Sequence, residues 1–358
     1  ACYRRLGRFA PARGVVEAGA PVALASDVNP GGGLSPSLPY AMAIGATRSE
    51  EAARFMGEVS AREGRALGIH WALAPVADVN NNPDNPVINI RSFGEDPQRV
   101  SRLVSAFVEG ARRGGILTSV KHFPGHGDTA TDSHLGLPVI GGDRARLDRV
   151  EFAPFRAAIE AGVDSVMLGH LEVPAIDPAG RPATLSPILS TQLLREEFGF
   201  HGLVVTDAME MQGVGSVWAG RALIEAFRAG ADVLLLPPDS RVAIQALVRA
   251  VEEGEIAEAR LDASVERVLA MKARLGLHRK RTVDPAAMRR AVGRPQDLER
   301  ARRVAEESIT LVRNQGGVVP LAAERPLRLL HLVLASDWIH NAIGGIPETE
   351  LAARGILT

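Results

Sequence analysis

One pattern recurs through most of the chain: a stretch of helical period, a glycine, then a short apolar run that ends in polar residues. It appears as Glu50 to Gly68 with Trp71 to Val76, as Gln98 to Gly115 with Ile116 to Val120, and as Arg144 to Gly162 with Ser165 to Gly169. Two further copies are Thr191 to Gly199 with Leu203 to Thr206, and Arg221 to Gly230 with Val233 to Leu236. A glycine suits the left-handed turn that ends a helix. Strands that are apolar throughout, rather than alternating, mark a parallel sheet covered on both faces. The fold class is therefore α/β. With Pro21 to Ala25 the count is six strands, whereas a closed (β/α)8 TIM-type barrel takes eight and collects its chemistry at their C-terminal ends. Two strands are then wanting, and they are expected upstream. An open doubly wound sheet would also accept six, but the Gly-rich phosphate turn usual in such sheets is missing, and Gly31-Gly32-Gly33 reads as a plain loop.

Composition narrows the classes. Of 358 residues, 46% are hydrophobic and 23% charged, enough apolar material to offset the entropy of ordering a sizeable core. Lys and Arg number 41 against 42 Asp and Glu, so no basic excess exists to neutralise a phosphate backbone, and nucleic acid is not expected as a partner. Apolar runs such as Val233 to Pro238 fall far short of the ~20 residues a membrane span needs. The single cysteine, Cys2, excludes a disulfide framework. The chain opens on Ala1 rather than Met, which leaves cytoplasm, periplasm and secretion equally open.

Beyond residue 255 the character changes. Helical stretches Ile256 to Leu275 and Asp297 to Arg313 flank the basic run Arg279-Lys280-Arg281, which reads as solvated connector. Leu327 to Leu334 then reads as the first buried strand of another α/β unit, too near the end of the chain to complete a domain. The expected organisation is a barrel over residues 1–278, a linker and helix over 279–325, and the incomplete start of an α/β sandwich domain over 326–358.

Three segments carry candidate chemistry. The first runs from Lys121-His122-Phe123-Pro124-Gly125-His126-Gly127-Asp128 to Thr129-Ala130-Thr131-Asp132-Ser133-His134 and begins where an apolar strand ends. Its glycines permit a loop able to move over a site. His122, His126 and His134 could supply nitrogen to a metal, but their spacing matches no structural zinc pattern; a plain polar loop is the other alternative. The second is Leu203 to Met211, where Asp207 directly follows a strand. Burying that carboxylate is costly without a partner or a task, although a helix N-cap with Glu210 three residues on would also account for it. The third joins Asp78, at the end of Leu73 to Val76, to Arg91 in the loop beyond. Carboxylates and a guanidinium at strand ends suit the hydroxyl array of a sugar, though Asp78 could equally be an ordinary turn residue.

At these residues the chain resembles the bacterial β-N-acetylglucosaminidases of glycoside hydrolase family 3. The likeness lies in Lys121 to His134, in Thr206-Asp207-Ala208-Met209, and in Asp78-Val79-Asn80 with Arg91-Ser92-Phe93-Gly94-Glu95-Asp96-Pro97. Ala305 to Asn314 is similar to the stretch that opens the family's second domain. The resemblance implies retaining hydrolysis of β-linked N-acetylglucosamine, from chitooligosaccharides or peptidoglycan fragments such as muropeptides, without a cofactor. It implies Asp207 as nucleophile and His134 with Asp132 as the acid/base dyad. Asp27, Asp78, Arg91, Lys121, His122, His170 and Met209 are implied to line the substrate site. Retaining enzymes usually employ two carboxyl groups, one of which must stay protonated beside the other's charge. An imidazole near pKa ~6.5 held by a neighbouring carboxylate replaces that second group. The chain departs from the family at Asp27, where Ser26-Asp27-Val28-Asn29-Pro30 stands in place of an Asp followed by a Glu-Gly-Gly turn. Two rival readings remain at this stage: a metal-dependent barrel hydrolase, and a sugar-binding homologue that has lost turnover.

Overall fold

The structure is a computed structural model, and it describes residues 38–131, 136–211 and 219–311. The chain divides into two compact units, Ala1–Ile309 and Thr310–Thr358. The expected first strand at Pro21 to Ala25, the segment Leu327 to Leu334 and the sandwich domain expected over 326–358 lie outside the described residues.

Within the first unit, α1 (Leu38–Thr47) and α2 (Glu50–Ala66) lead to β1 (Trp71–Ala72), and α3 (Pro97–Gly114) leads to β2 (Leu117–Phe123). Short helices α4 (Arg144–Arg149) and α5 (Ala153–Glu160) precede β3 (Ser165–Leu168), and a wide-turned π-helix over Ile188–Glu197 precedes β4 (Leu203–Thr206). The sheet order is β1-β2-β3-β4 and every pairing is parallel. A parallel bridge between Val205 and Val233 adds a fifth stave, and one between Val76 and Lys121 extends β1. An open doubly wound sheet reverses its strand order about a switch point. This order runs 1-2-3-4-5 without reversal, as the staves of a (β/α) barrel do. The strands expected at Ile116 to Val120, Ser165 to Gly169 and Leu203 to Thr206 are found in place as β2, β3 and β4 and are buried throughout, whereas Trp71 to Val76 is reduced to a two-residue strand with a bridge at Val76, and Val233 to Leu236 to a single bridge at Val233.

The helices follow from the same periodicity. Asp96 caps α3 by accepting a hydrogen bond from the Arg99 amide at 2.7 Å, and Val100, Leu103, Val104, Phe107, Val108 and Ala111 form its buried stripe. The glycines that close the helical stretches, Gly68, Gly115, Gly162, Gly199 and Gly230, all have positive φ. Close approach fixes a different glycine: a Cβ on Gly110 of α3 would stand 1.9 Å from the Arg54 carbonyl oxygen of α2, so the two outer helices touch backbone to backbone.

One helix departs from expectation. Arg144 to Gly162, read as continuous, is broken between α4 and α5 at residues 150–152. Pro154 occupies the first turn of α5, where its missing N–H costs nothing, and it could not sit inside a longer helix. Phe152 at the break turns inward, stacking on Phe123 at 6.3 Å beside Phe155 and Phe198.

After α6 (Ala219–Ala229), α7 (Ser240–Glu252) and α8 (Glu258–Arg274), Arg279 to Arg281 is exposed as expected of a charge run. The helices beyond, α9 (Pro285–Ala291) and α10 (Pro295–Glu307), return to α2: the Gly293 amide donates to Glu63 at 3.0 Å, and Arg62 pairs with Asp297. No described helix is long and apolar enough to cross a membrane.

Candidate active site

Parallel strands put all their C-terminal ends on one edge, so every residue that directly follows a strand is delivered to the same face. Asp78 stands two residues past Val76, Lys121 and His122 end β2, His170 stands two residues past β3, and Asp207 directly follows β4. The turns are keyed across neighbouring strands. The Asp207 amide donates to the Leu168 carbonyl at 2.9 Å, the Ala77 amide to the Lys121 carbonyl at 2.7 Å, and the Met209 amide to the Leu235 carbonyl at 2.8 Å.

Asp78 is fully buried, and both its oxygens are engaged from within the protein. Oδ1 accepts from the amides of His126 at 2.7 Å and His122 at 3.1 Å; Oδ2 lies 2.7 Å from His122 Nδ1 and 3.2 Å from the His122 amide. Burial by itself would raise this carboxyl's pKa, but the imidazole of His122 and the His126 amide more than offset it, and the pKa is held below its usual value. Asp78 thus orients the His122 ring. On the far side of that ring, Arg91 Nη2 stands 3.5 Å from Nε2 while its Nη1 donates to the Val87 carbonyl at 3.2 Å. A guanidinium offers only donors, so Nε2 is the accepting nitrogen and the ring proton resides on Nδ1, facing Asp78. Lys121 is buried beside this pair at the end of β2.

The chain next forms a tight loop under the same control. His126 is buried, its ring edge-on to His122 with centroids 6.0 Å apart, and its Nδ1 lies 2.7 Å from Thr129 Oγ1. Burial first, and then the neighbouring His122 ring, push the His126 imidazole down to about 4, so it is neutral near pH 7. The charge of Asp207 reaches the same ring, which joins the β4 turn to this cluster. Gly127 passes so close to the first strand's extension that a Cβ there would meet the Val79 carbonyl oxygen at 1.7 Å. Beneath Gly125, Glu151 is buried and pushed up to about 7 by that burial; Arg146 bridges it at 3.1 Å to Asp128 at 2.7 Å.

One residue that sequence reasoning passed over completes the loop. Asn85, fully inside, donates through Nδ2 to the carbonyls of His126 at 2.7 Å and Gly127 at 3.0 Å and to Thr129 Oγ1 at 3.3 Å. Its Oδ1 accepts from the amides of Val87 at 2.9 Å and Ile88 at 2.8 Å. Within Asn80-Asn81-Asn82-Pro83-Asp84-Asn85 nothing local sets this asparagine apart.

Asp207 is half-buried. One of its oxygens accepts from the Ala208 amide at 2.8 Å; the other has no hydrogen bond among the described residues. The described residues after it, Ala208 to Met211, form a turn rather than a helix, so the N-cap alternative is not what these residues build. His170 supports that turn. Its Nε2 lies 3.0 Å from the Ala208 carbonyl, which can only accept, so Nε2 carries the proton and Nδ1 accepts from the Thr184 hydroxyl at 2.9 Å. Met209 is buried in an apolar cluster with Ala222, Leu223, Ala226 and Ala243. Asp27, Asp132 and His134 lie outside the described residues. Among the described residues no group of three or more His, Cys, Asp or Glu is arranged to hold a metal, and the outward nitrogen of His122 faces a guanidinium.

A family model described as glycosyl hydrolase family 3 N terminal domain matches residues 9–271. The chain is 38% identical over 299 residues to a beta-N-acetylglucosaminidase/beta-glucosidase of Cellulomonas fimi, covering 81% of this chain and 53% of that protein. Among solved structures, a glycoside hydrolase family 3 beta-N-acetylglucosaminidase from a Paenibacillus species is 40% identical with a TM-score of 0.74, covering 83% of this chain and 56% of that one. A beta-glucoside phosphorylase, BglX, is 34% identical with a TM-score of 0.78, covering 84% and 56%. The chain spans about half the length of the curated relatives it matches, 53% and 52% of the first two.

Proposed function

The chain belongs to glycosyl hydrolase family 3, and from that membership we propose that it is a retaining glycosidase releasing terminal β-linked N-acetylglucosamine from chitooligosaccharides or peptidoglycan fragments. The observation that carries this reading is Asp207: a strand-end carboxylate, backbone-locked to β3, with one oxygen lacking any hydrogen bond among the described residues. In the first step that oxygen attacks the anomeric carbon while the bond to the leaving oxygen breaks. His134 gives its proton to that oxygen and a glycosyl-enzyme ester forms. In the second step His134, oriented by Asp132, takes a proton from water as the water oxygen attacks the same carbon and Asp207 departs.

The remaining groups hold the sugar. Arg91 and Lys121 offer donors only, and His122, fixed by Asp78, presents its accepting nitrogen beside Arg91, so this set offers both donors and an acceptor to a ring bearing hydroxyls and an acetamide. Residues 1–278 then make the catalytic barrel, and 279–325 lead towards a second domain that begins over 326–358.

A second acceptor in the second step is raised by one observation, the similarity to a phosphorylase at 34% identity. Product analysis decides both matters. Aryl β-N-acetylglucosaminide and aryl β-glucoside are incubated with the protein, with and without inorganic phosphate, and the sugar product is identified. Free N-acetylglucosamine as the main product supports hydrolysis of the hexosaminide, the sugar 1-phosphate diverts the second step to phosphate, and no turnover of either substrate refutes the reading.

A further inference from the structure

We propose that Asn85 is a positioning residue for the proton-transfer step: it latches the loop of residues 126–129, from which the chain leads on to Asp132 and His134. This rests on the assignment of His134 as the proton donor. The geometry is a two-sided clamp. On one side Oδ1 takes the amides of Val87 and Ile88, which ties Asn85 to the loop that also carries Arg91. On the other side Nδ2 reaches three acceptors on a second loop more than forty residues away: the carbonyls of His126 and Gly127 and the hydroxyl of Thr129. A primary amide has two donors and two acceptor positions, and here both ends are in use.

The side chain is almost wholly buried, at 2% exposure, so these contacts do not compete with water. Thr129 is also the hydrogen-bond partner of His126, and Asp132 and His134 follow it by three and five residues. Asn85 therefore holds the described end of the loop that leads on to the dyad. The loop is also held by the His126 amide on Asp78, by Arg146 on Asp128 and by the close pass of Gly127 over Val79. An amide is suited to this post. It joins donors to acceptors in one plane without adding a charge beside Asp78, which already holds the charge of the cluster.

The test uses the full chain with Asn85→Asp and Thr129→Val. Asn85→Asp keeps an oxygen for the amides of Val87 and Ile88 but sets a carboxylate oxygen against two carbonyls. Three measurements are made: hydrogen exchange of a peptide covering residues 126–131, kcat/KM with phenyl and 2,4-dinitrophenyl β-N-acetylglucosaminides, and the pH profile. The expectation is faster exchange in that peptide with β2 and β3 unchanged. The phenyl substrate, whose leaving group needs a proton, loses about a hundredfold, while the dinitrophenyl substrate is nearly unaffected. The loss on phenyl also shrinks at acid pH, where the introduced carboxyl is protonated and can donate again. Equal losses on both substrates, or unaltered exchange, overturn the proposal. If Asn85→Asp does not fold, Thr129→Val, which removes one of the three acceptors, must show the same ordering in smaller degree or the proposal fails. A wild-type chain that cleaves neither substrate sinks the glycosidase reading instead, and faster exchange in the variant would then still establish the latch.

Discussion

Replacing Asp78 by asparagine tests the electrostatic centre of the site. The carboxylate takes four close contacts, from two backbone amides and the His122 ring, in a position with no solvent exposure. Asparagine has one oxygen. If that oxygen stays on the amides of His126 and His122, the new NH2 faces His122 Nδ1, whose proton must move to Nε2. That nitrogen then points a proton at the Arg91 guanidinium 3.5 Å away, donor against donor. If instead the oxygen turns to the ring, buried amides are left facing an NH2. Either way one charge-assisted hydrogen bond is lost, about 1.5–3 kcal/mol, and a buried donor is left unsatisfied, about 1–3 kcal/mol more.

A loss of roughly 2.5–6 kcal/mol should lower Tm by several degrees or more. The pH dependence has a definite sign. The carboxyl's pKa lies below the ordinary 3.8 in the folded state, so its contribution is fully present above that value and disappears as pH falls through the lower, folded value. The difference in Tm between wild type and Asp78→Asn should thus be flat from pH 5 to 8 and narrow only below about pH 4. Differential scanning calorimetry across that range measures it. An unchanged Tm at pH 7, or a gap that widens as pH falls, refutes the account of Asp78 as the anchor of His122.

Other expectations follow from single contacts. Asp207→Asn should cut turnover of an aryl β-N-acetylglucosaminide by a thousandfold or more, roughly what loss of a nucleophile costs, with Tm nearly unchanged because its one side-chain hydrogen bond is to the adjacent amide; substantial residual activity would remove it from the nucleophile's role. Glu151→Gln should raise Tm at pH 8 but not at pH 4, because a carboxyl pushed up to about 7 opposes folding increasingly as pH rises above its ordinary 4.5; calorimetry at the two pH values decides. Asp232, its side chain fully buried and bonded to Arg195 at 2.6 Å and Arg267 at 3.0 Å, leaves the largely buried Arg195 guanidinium without this counter-charge when replaced by alanine, so Asp232→Ala should cost about 3–5 kcal/mol in urea unfolding. Prolonged dialysis against EDTA should leave glycosidase activity intact, whereas loss restored by a divalent ion would favour the metal-dependent reading.

How much of this was legible in the sequence depends on the range over which each feature is decided. Strands and their polar ends were readable because hydrophobic period and the closing glycine are local signals, and parallel geometry then converts position after a strand into position on one face. That places Asp78, Lys121, His122, His170 and Asp207 together without any knowledge of pairing. What each does there is decided by partners far along the chain. Asp78 could be read as a turn residue or a sugar ligand, and its contacts make it the acceptor for two residues 44 and 48 positions away. Met209 shares a motif with Asp207 and sits next to it but one, yet the turn sends its side chain into an apolar cluster. The break between α4 and α5 had a local sign in Pro154, outweighed in the reading by the helical period on both sides of it. Asn85 had none. Its role arises only where two loops meet, and an asparagine among asparagines carries the same propensity whether it faces water or bridges four backbone groups. The sequence pattern therefore delivers residues to a face; the hydrogen-bond valence left over after burial decides which of them remain to meet a substrate. By that criterion Asp207, among the described residues, keeps acceptor capacity at the strand ends, and Asp78 does not.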